Sequence, residues 1–248
     1  GSPARSARQA QHEGRGVPTV SDRAALPPAP DAASRAEIAA RTEALFRRSG
    51  ALIDGHFALK SGRHADRYLE KFQVLQYPDA VVELCSFIAE RARGADGSAA
   101  VDVVVGPTTG GVLLAFEVAR QLGVRGIFAE EVKAADGTAH REFRRGFTIG
   151  AGERVLLVDD ILTTGGSLLA MLPPIEATGG TLELALVIAD RSGGIREVTS
   201  PAGGRTYPAD ALWTLDVPTW EPGAATCPAC AAGTPIKAPG SSGTAAKG

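Results

Sequence analysis

Apolar residues fall in this chain in short, nearly unbroken runs at 101–105, 126–129, 155–158, 182–189 and 211–217, each bounded by Gly, Pro or charged residues. Runs of that length read as strands covered on both faces, the pattern of a buried parallel sheet. Between them the spacing changes to a helical period. Residues 34–49 carry Ile38, Leu45 and Phe46 on one face, and 78–93 open on Tyr77-Pro78-Asp79 and carry Val81, Val82, Leu84, Cys85, Phe87 and Ile88. A further helix is predicted over 112–122 and another from Thr164. Ser34 with Glu37 reads as a capping box for the first helix, and Gly50 as its stop. Pro173-Pro174 predict that the helix from Thr164 kinks or ends there, because each proline lacks an amide donor and crowds the preceding turn. Strands alternating with helices predict an α/β fold, a parallel sheet with helices on both faces.

Two segments break this pattern. Residues 51–75 hold apolar residues in small groups around Gly55, Ser61 and Gly62, as in short strands joined by turns. Lys60, Arg63, His64, Arg67 and Lys71 are concentrated there, either as a solvated basic face, which charge alone favours, or as a clamp for an anionic second substrate. Residues 130–147 are polar, carry Gly137 and have no period, so they read as a long mobile loop or a loose hairpin. The ends, 1–33 and 238–248, lack periodicity and read as disordered extensions, which leaves 34–237 as one domain.

A hydrophobic share of 44% is enough for one sizeable core, and a net charge of −2 without a basic stripe argues against a nucleic-acid surface. No apolar run approaches membrane-spanning length, and 3 cysteines fit a reducing compartment, so the expectation is a soluble, cytoplasmic protein with no membrane partner. Cys85 reads as a core residue. Cys227 and Cys230, in CPAC, have the spacing of a zinc half-site, but there is no second Cys pair and the 4 histidines lie far upstream. Zinc is therefore the less favoured reading unless two subunits share a site. A redox pair is less favoured still, because CPAC does not open a helix after a strand.

The chemistry concentrates at 155–168, VLLVDDILTTGGSL, where an apolar run passes into Asp159 and Asp160 and then into hydroxyls and glycines. Thr163, Thr164, Gly165, Gly166 and Ser167, leading into a helix, offer amides, hydroxyls and a helix N-terminus to a phosphate. The two acids suit vicinal hydroxyls or a hydrated cation, so the ligand expected is a phosphorylated ribose. A second such loop, GPTTGG at 106–111, follows the first strand and makes Thr108, Thr109 and Gly110 candidates for a second phosphate group. Arg191, after the strand at 182–189, is placed to receive a carboxylate or a pyrimidine carbonyl; the competing reading is a strand-end salt bridge with Asp190. No glycine-rich stretch has the order of a Walker or dinucleotide loop.

The run, paired acids and TTGGS resemble the phosphoribosyl pyrophosphate (PRPP) motif of the type I phosphoribosyltransferases. HFALKSGRHADRYLEKF, GPTTGGVLLAFEVARQLGV, the Asp190-Arg191 pair and the CPACAAGTPIKAPGS ending resemble orotate phosphoribosyltransferases, and the resemblance runs from about residue 40 to 241. It implies a sheet of about five parallel strands with a small N-terminal hood, mainly 51–75. It also implies Mg²⁺-dependent transfer of phosphoribosyl from PRPP to orotate, giving orotidine 5′-monophosphate and pyrophosphate in pyrimidine biosynthesis, by a homodimer. By the same resemblance Lys60 lies near the substrate phosphates, Phe57, Ser61, Gly62 and Tyr68 occupy hood positions with Phe57 near the base, and Arg191 recognises orotate. Magnesium is held mainly through PRPP and water, with Asp159 and Asp160 as candidate ligands. Two departures stand out: Gly110 replaces a lysine found in several orotate enzymes, and the family's loop cations are rearranged. Lys133 is ranked first as the catalytic loop cation, and Arg144 and Arg145 next. A phosphoribosyltransferase for another heterocycle and a non-catalytic PRPP-binding regulator are the competing readings.

Overall fold

A computed structural model describes residues 24–59 and 61–238. In chain order it contains α1 (Ala32–Arg48), a hairpin of β1 (Leu52–Ala58) and β2 (His64–Leu69), α2 (Lys71–Leu75), α3 (Pro78–Glu90), β3 (Val103–Pro107), α4 (Gly110–Leu122), β4 (Arg125–Lys133) and β5 (Ala139–Phe143). Then follow β6 (Arg154–Leu162), α5 (Gly166–Ala177), β7 (Thr181–Asp190), β8 (Glu197–Thr199), β9 (Thr206–Thr214), β10 (Thr219–Trp220) and α6 (Pro228–Ala231). The main sheet has seven strands in the order β5-β4-β3-β6-β7-β9-β8. Its five inner strands are parallel, as expected, and antiparallel β5 and β8 close the two edges.

Side-chain alternation along the inner strands divides the core in two. Val104, Leu156 and Val158 pack with Leu45, Phe46, Leu84, Ile88, Leu114 and Val118 of α1, α3 and α4. Val103, Val105, Val155 and Leu157 pack on the other face with Leu168, Met171, Leu172 and Ile175 of α5. The separate hood sheet, β1-β2-β10, lies at 52–69 and 219–220, and the chain's C-terminal segment returns to it. There Ala58 N–H donates to the Lys237 carbonyl at 2.8 Å, and Lys237 N–H to the His56 carbonyl at 2.8 Å.

Several element bounds differ from the sequence reading. The first helix is capped by Asp31, whose side chain accepts from Ser34 N–H at 2.8 Å, so Ser34 sits inside the first turn. Residues upstream of it are packed: Leu26 lies against the core, Arg91 donates to the Pro28 carbonyl at 2.9 Å, and Arg154 to the Ala24 carbonyl at 2.5 Å. The expected domain start at 34 is thus too late, and what remains of the expected extensions, 1–23 and 239–248, lies outside the described residues. α5 continues through Pro173 and Pro174 to Ala177. Packing offsets the missing amide donors, since Ile175 is fully buried and Glu176 accepts from Ser200 Oγ at 2.8 Å and Tyr207 Oη at 2.7 Å. The last parallel strand is Thr206–Thr214 and not 211–217, and 130–147 forms a paired hairpin, with Lys133 opposite Ala139. Among the described residues no helix is long and apolar enough to cross a membrane.

Candidate active site

The sheet order reverses between β3 and β6: β3 crosses through α4 to β4 on one side, and β6 crosses through α5 to β7 on the other. In open α/β sheets the crevice at such a reversal, beyond the strands' carboxyl ends, is where ligands bind. Both flanking helices begin there without a side-chain cap, α4 after Thr109 and α5 after Gly165. Their first amides are therefore available to anions. Gly165 has φ 80°, a left-handed conformation that favours glycine, and it turns the chain from β6 into α5. Thr163, Thr164, Gly165, Gly166 and Ser167 curl with Asp159 around a small hollow of about 40 Å³.

Asp159 and Asp160 lie within β6, which runs on to Leu162, and not after a strand ending at Val158 as the sequence reading had it. Alternation therefore sends them to opposite faces. Asp159 follows Val155 and Leu157 to the α5 side, where Ser167 Oγ donates to its Oδ2 at 2.5 Å. Asp160 follows Leu156 and Val158 to the α4 side, where Lys71 Nζ lies 2.9 Å from Oδ1 and 2.8 Å from Oδ2. Burial first, and then the neighbouring Asp160 charge, push the Asp159 carboxyl up to about 6 against the opposing hydrogen bond from Ser167. A Cβ on Gly110 would stand 1.8 Å from Asp160 Oδ2 and 2.9 Å from its Cγ, so any side chain there would have to displace the Asp160 carboxylate.

A cation reaches that loop by another route. Arg141 of β5 donates from Nη1 to Thr108 Oγ1 at 2.9 Å, and a cavity of about 290 Å³ between the hairpin and α5 is lined by Glu131, Arg141, Gly166 and Ser167. Of the cations ranked from the sequence, Lys133 is exposed at the turn end of the hairpin, Arg144 is exposed, and Arg145 pairs with Glu130 at 2.5 Å. Lys60 lies outside the described residues. Sequence reasoning missed Arg141 as the cation of this loop, and it placed Lys71 in the basic cluster of the hood segment without pairing it with Asp160. Strand alternation counted back from Phe143, which packs on the core, would have turned Arg141 inward; for Lys71, 89 residues from Asp160, the sequence holds no such signal. A larger cavity of about 800 Å³, lined by Phe143, Phe147, Pro173 and Pro174, contains none of the motif's reactive groups.

Arg191 follows β7 and is anchored by its own N–H to the Leu162 carbonyl at 2.8 Å. Its Nε is buried with no hydrogen-bond partner among the described residues. Asp190 spends its carboxylate on Ser192 N–H at 2.6 Å, Ser192 Oγ at 2.6 Å and Ile195 N–H at 2.7 Å, so the competing salt bridge does not form. Desolvation lowers the Arg191 guanidinium from its ordinary value and nearby Tyr68 opposes that shift. Phe57 is only 2% exposed and lies with its ring centroid 5.7 Å from that of Tyr68, so it backs Tyr68, which is the hood ring beside Arg191.

A family model of the phosphoribosyl transferase domain matches residues 73–218. The orotate phosphoribosyltransferase of Pelotomaculum thermopropionicum is 43% identical over 198 residues, covering 80% of this chain and 95% of that protein. Among solved structures, the orotate phosphoribosyltransferase from Aeropyrum pernix superposes with a TM-score of 0.51 at 24% identity, over 69% of this chain and 92% of that one. The adenine phosphoribosyl transferase from Trypanosoma brucei gives a TM-score of 0.52 at 18% identity, over 75% and 81%. These two share the fold. The sequence match over almost the whole of the relative, together with the uncapped loops at the sheet reversal, puts this chain in the phosphoribosyl transferase family, among the orotate phosphoribosyltransferases.

Proposed function

We propose that the chain transfers the phosphoribosyl group of PRPP to orotate, with Mg²⁺, as a cytoplasmic homodimer. The observation that carries the choice of base is Arg191, whose buried Nε lacks a protein acceptor. Such a donor is costly to leave unmet and suits a planar carboxylate, which orotate has and adenine lacks. In this reading Thr163–Ser167 and the start of α5 hold the 5′-phosphate. Asp159 and Asp160, reaching the crevice from two faces of β6, hold the ribose hydroxyls and stabilise positive charge growing at C1′. Thr108, Thr109 and the start of α4, with Arg141, receive the pyrophosphate. The orotate ring nitrogen forms its bond to C1′ as the C1′–O bond breaks, and the bonding pair leaves with pyrophosphate. Orotate's ring nitrogen is acidic enough to need no strong protein base, so positioning and electrostatics supply the rate.

Asp159, Thr163 and Ser167 line one small hollow, and hard oxygen donors of this kind suit Mg²⁺. Asp159 and Asp160 are its candidate protein ligands. When bound, magnesium neutralises charge on the leaving pyrophosphate.

The test mixes purified protein with PRPP, Mg²⁺ and orotate and follows orotate absorbance together with pyrophosphate release. Equal loss of orotate and gain of pyrophosphate is expected. Pyrophosphate release with adenine but not orotate would transfer the reading to another base, and PRPP binding by calorimetry without turnover would transfer it to a regulator.

A further inference from the structure

The CPAC segment finds its partners in the hood. His56 and Cys227 are 171 residues apart in sequence, yet His56 Nε2 lies 3.6 Å from both Cys227 Sγ and Cys230 Sγ. His64 Nδ1 is 3.2 Å from Cys230 Sγ and 2.9 Å from His56 Nε2. All four atoms fall within 4.8 Å of one another, and all four come from one chain, so neither the distance of the histidines in sequence nor a second subunit limits the ligand set. Cys227 also stands at the N-cap of the one-turn helix α6, the helical start the sequence reading did not expect.

Tetrahedral zinc, with Zn–N about 2.0–2.1 Å and Zn–S about 2.3 Å, sets N···S at about 3.6 Å and N···N at about 3.4 Å. Two of the observed N···S distances, both 3.6 Å, match, and the other two contacts are shorter by about half an ångström or less, which a small imidazole rotation opens.

The local structure aims these groups. Between the pairs Asp54–Arg67 and Phe57–Ala65 the β1–β2 register shifts, so Gly55 and His56 together oppose one residue of β2. The bulge turns His56 inward beside Phe57, and both are buried although strict alternation would expose one of them. His56 Nδ1 lies 2.8 Å from the Thr234 carbonyl, which can only accept. The proton therefore sits on Nδ1, and Nε2 presents its lone pair to the cluster, the orientation that an outer carbonyl gives to a metal-bound histidine. Hydrogen bonding alone serves this cluster poorly, because His64 Nδ1 and both thiols crowd the one lone pair of His56 Nε2. A cation at the centre uses all four donors at once.

We propose that His56 Nε2, His64 Nδ1, Cys227 Sγ and Cys230 Sγ form a closed, structural Zn²⁺ site that staples the C-terminal segment to the hood. Two nitrogens and two thiolates suit zinc, and four protein ligands leave no position for a substrate. The site sits next to Phe57 in β1, so the metal would brace the strand that backs Tyr68.

The test uses the full chain, purified without a metal-binding tag after growth with added zinc. Plasma mass spectrometry is expected to find about one zinc per chain, falling at least tenfold in Cys227→Ser/Cys230→Ser and unchanged in Asp159→Asn. Should the double variant fold poorly, the unaltered chain reconstituted with Co²⁺ provides a second reading: the intense visible bands of tetrahedral cobalt with thiolate charge transfer support the site. Substoichiometric zinc together with the pale spectrum of six-coordinate cobalt overturns it. Intact-mass detection of a Cys227–Cys230 disulfide in metal-free, active protein also overturns it.

Discussion

Asp159 and Asp160 are neighbours in sequence with different neighbours in space: one is tied to Ser167, the other to Lys71 and to the bare backbone of Gly110. The folded chain holds the Asp159 proton up to about pH 6, whereas an unfolded aspartate releases it near about 3.9. The folded state binds that proton more tightly, so between about pH 4 and 6 this group's contribution to stability falls as pH rises. The ionised form that would hold ribose hydroxyls is the majority only above this range. We expect kcat/KM to drop on the acid side of about pH 6, and that limb to be absent from the residual activity of Asp159→Asn, as read from pH–rate profiles. Gly110→Ala puts a methyl where Asp160 Oδ2 stands and must displace the carboxylate. Turnover should fall about 10²-fold with the circular dichroism spectrum unchanged, since displacement of a catalytic group by about an ångström has that cost. Wild-type kinetics in this variant would remove Asp160 from the mechanism.

The β4–β5 hairpin carries the cation question. Pairing of Glu131 with Arg141 directs the arginine toward Thr108, while Lys133 stands exposed at the turn end and Arg145 is engaged by Glu130. Arg141→Ala should weaken product inhibition by pyrophosphate and raise the KM for PRPP by about tenfold or more, the worth of a charge-assisted hydrogen bond. Arg144→Ala serves as the control, with little change; steady-state inhibition kinetics distinguish them. This hairpin was hard to read because its outer segments, 130–133 and 139–142, are mostly charged or polar and draw their order from pairing and from the contact with α5. The inner strands were legible, since runs such as 155–158 are apolar enough to admit only burial on both faces. α5 runs past two prolines because Ile175 and Glu176 are held by tertiary partners, a term absent from any local propensity.

The molecule's outer surface bears on assembly. Leu113 and Phe116, one turn apart on α4, are 46% and 68% exposed, and Val82 on α3 and Tyr77 at its start are 43% and 47% exposed. An apolar face of this kind fits a partner subunit. Light scattering should give twice the chain mass, and Phe116→Glu should shift it toward one chain; a monomeric unaltered protein would exclude the homodimer. The fold class, the two Gly- and Thr-rich turns after strands, the adjacent acids and the place of Arg191 after a strand could all be read along the chain, because each is written in contiguous residues whose periodicity does not depend on what packs beside them. The tertiary fold alone brought Lys71 to Asp160 across 89 residues, Arg141 to Thr108 across 33, and His56 to Cys227 across 171. Such meetings follow from strand order, register and a single bulge, which are set by the summed packing of the whole core, so a local signal such as the CPAC spacing points to one side of a contact and not to its partner.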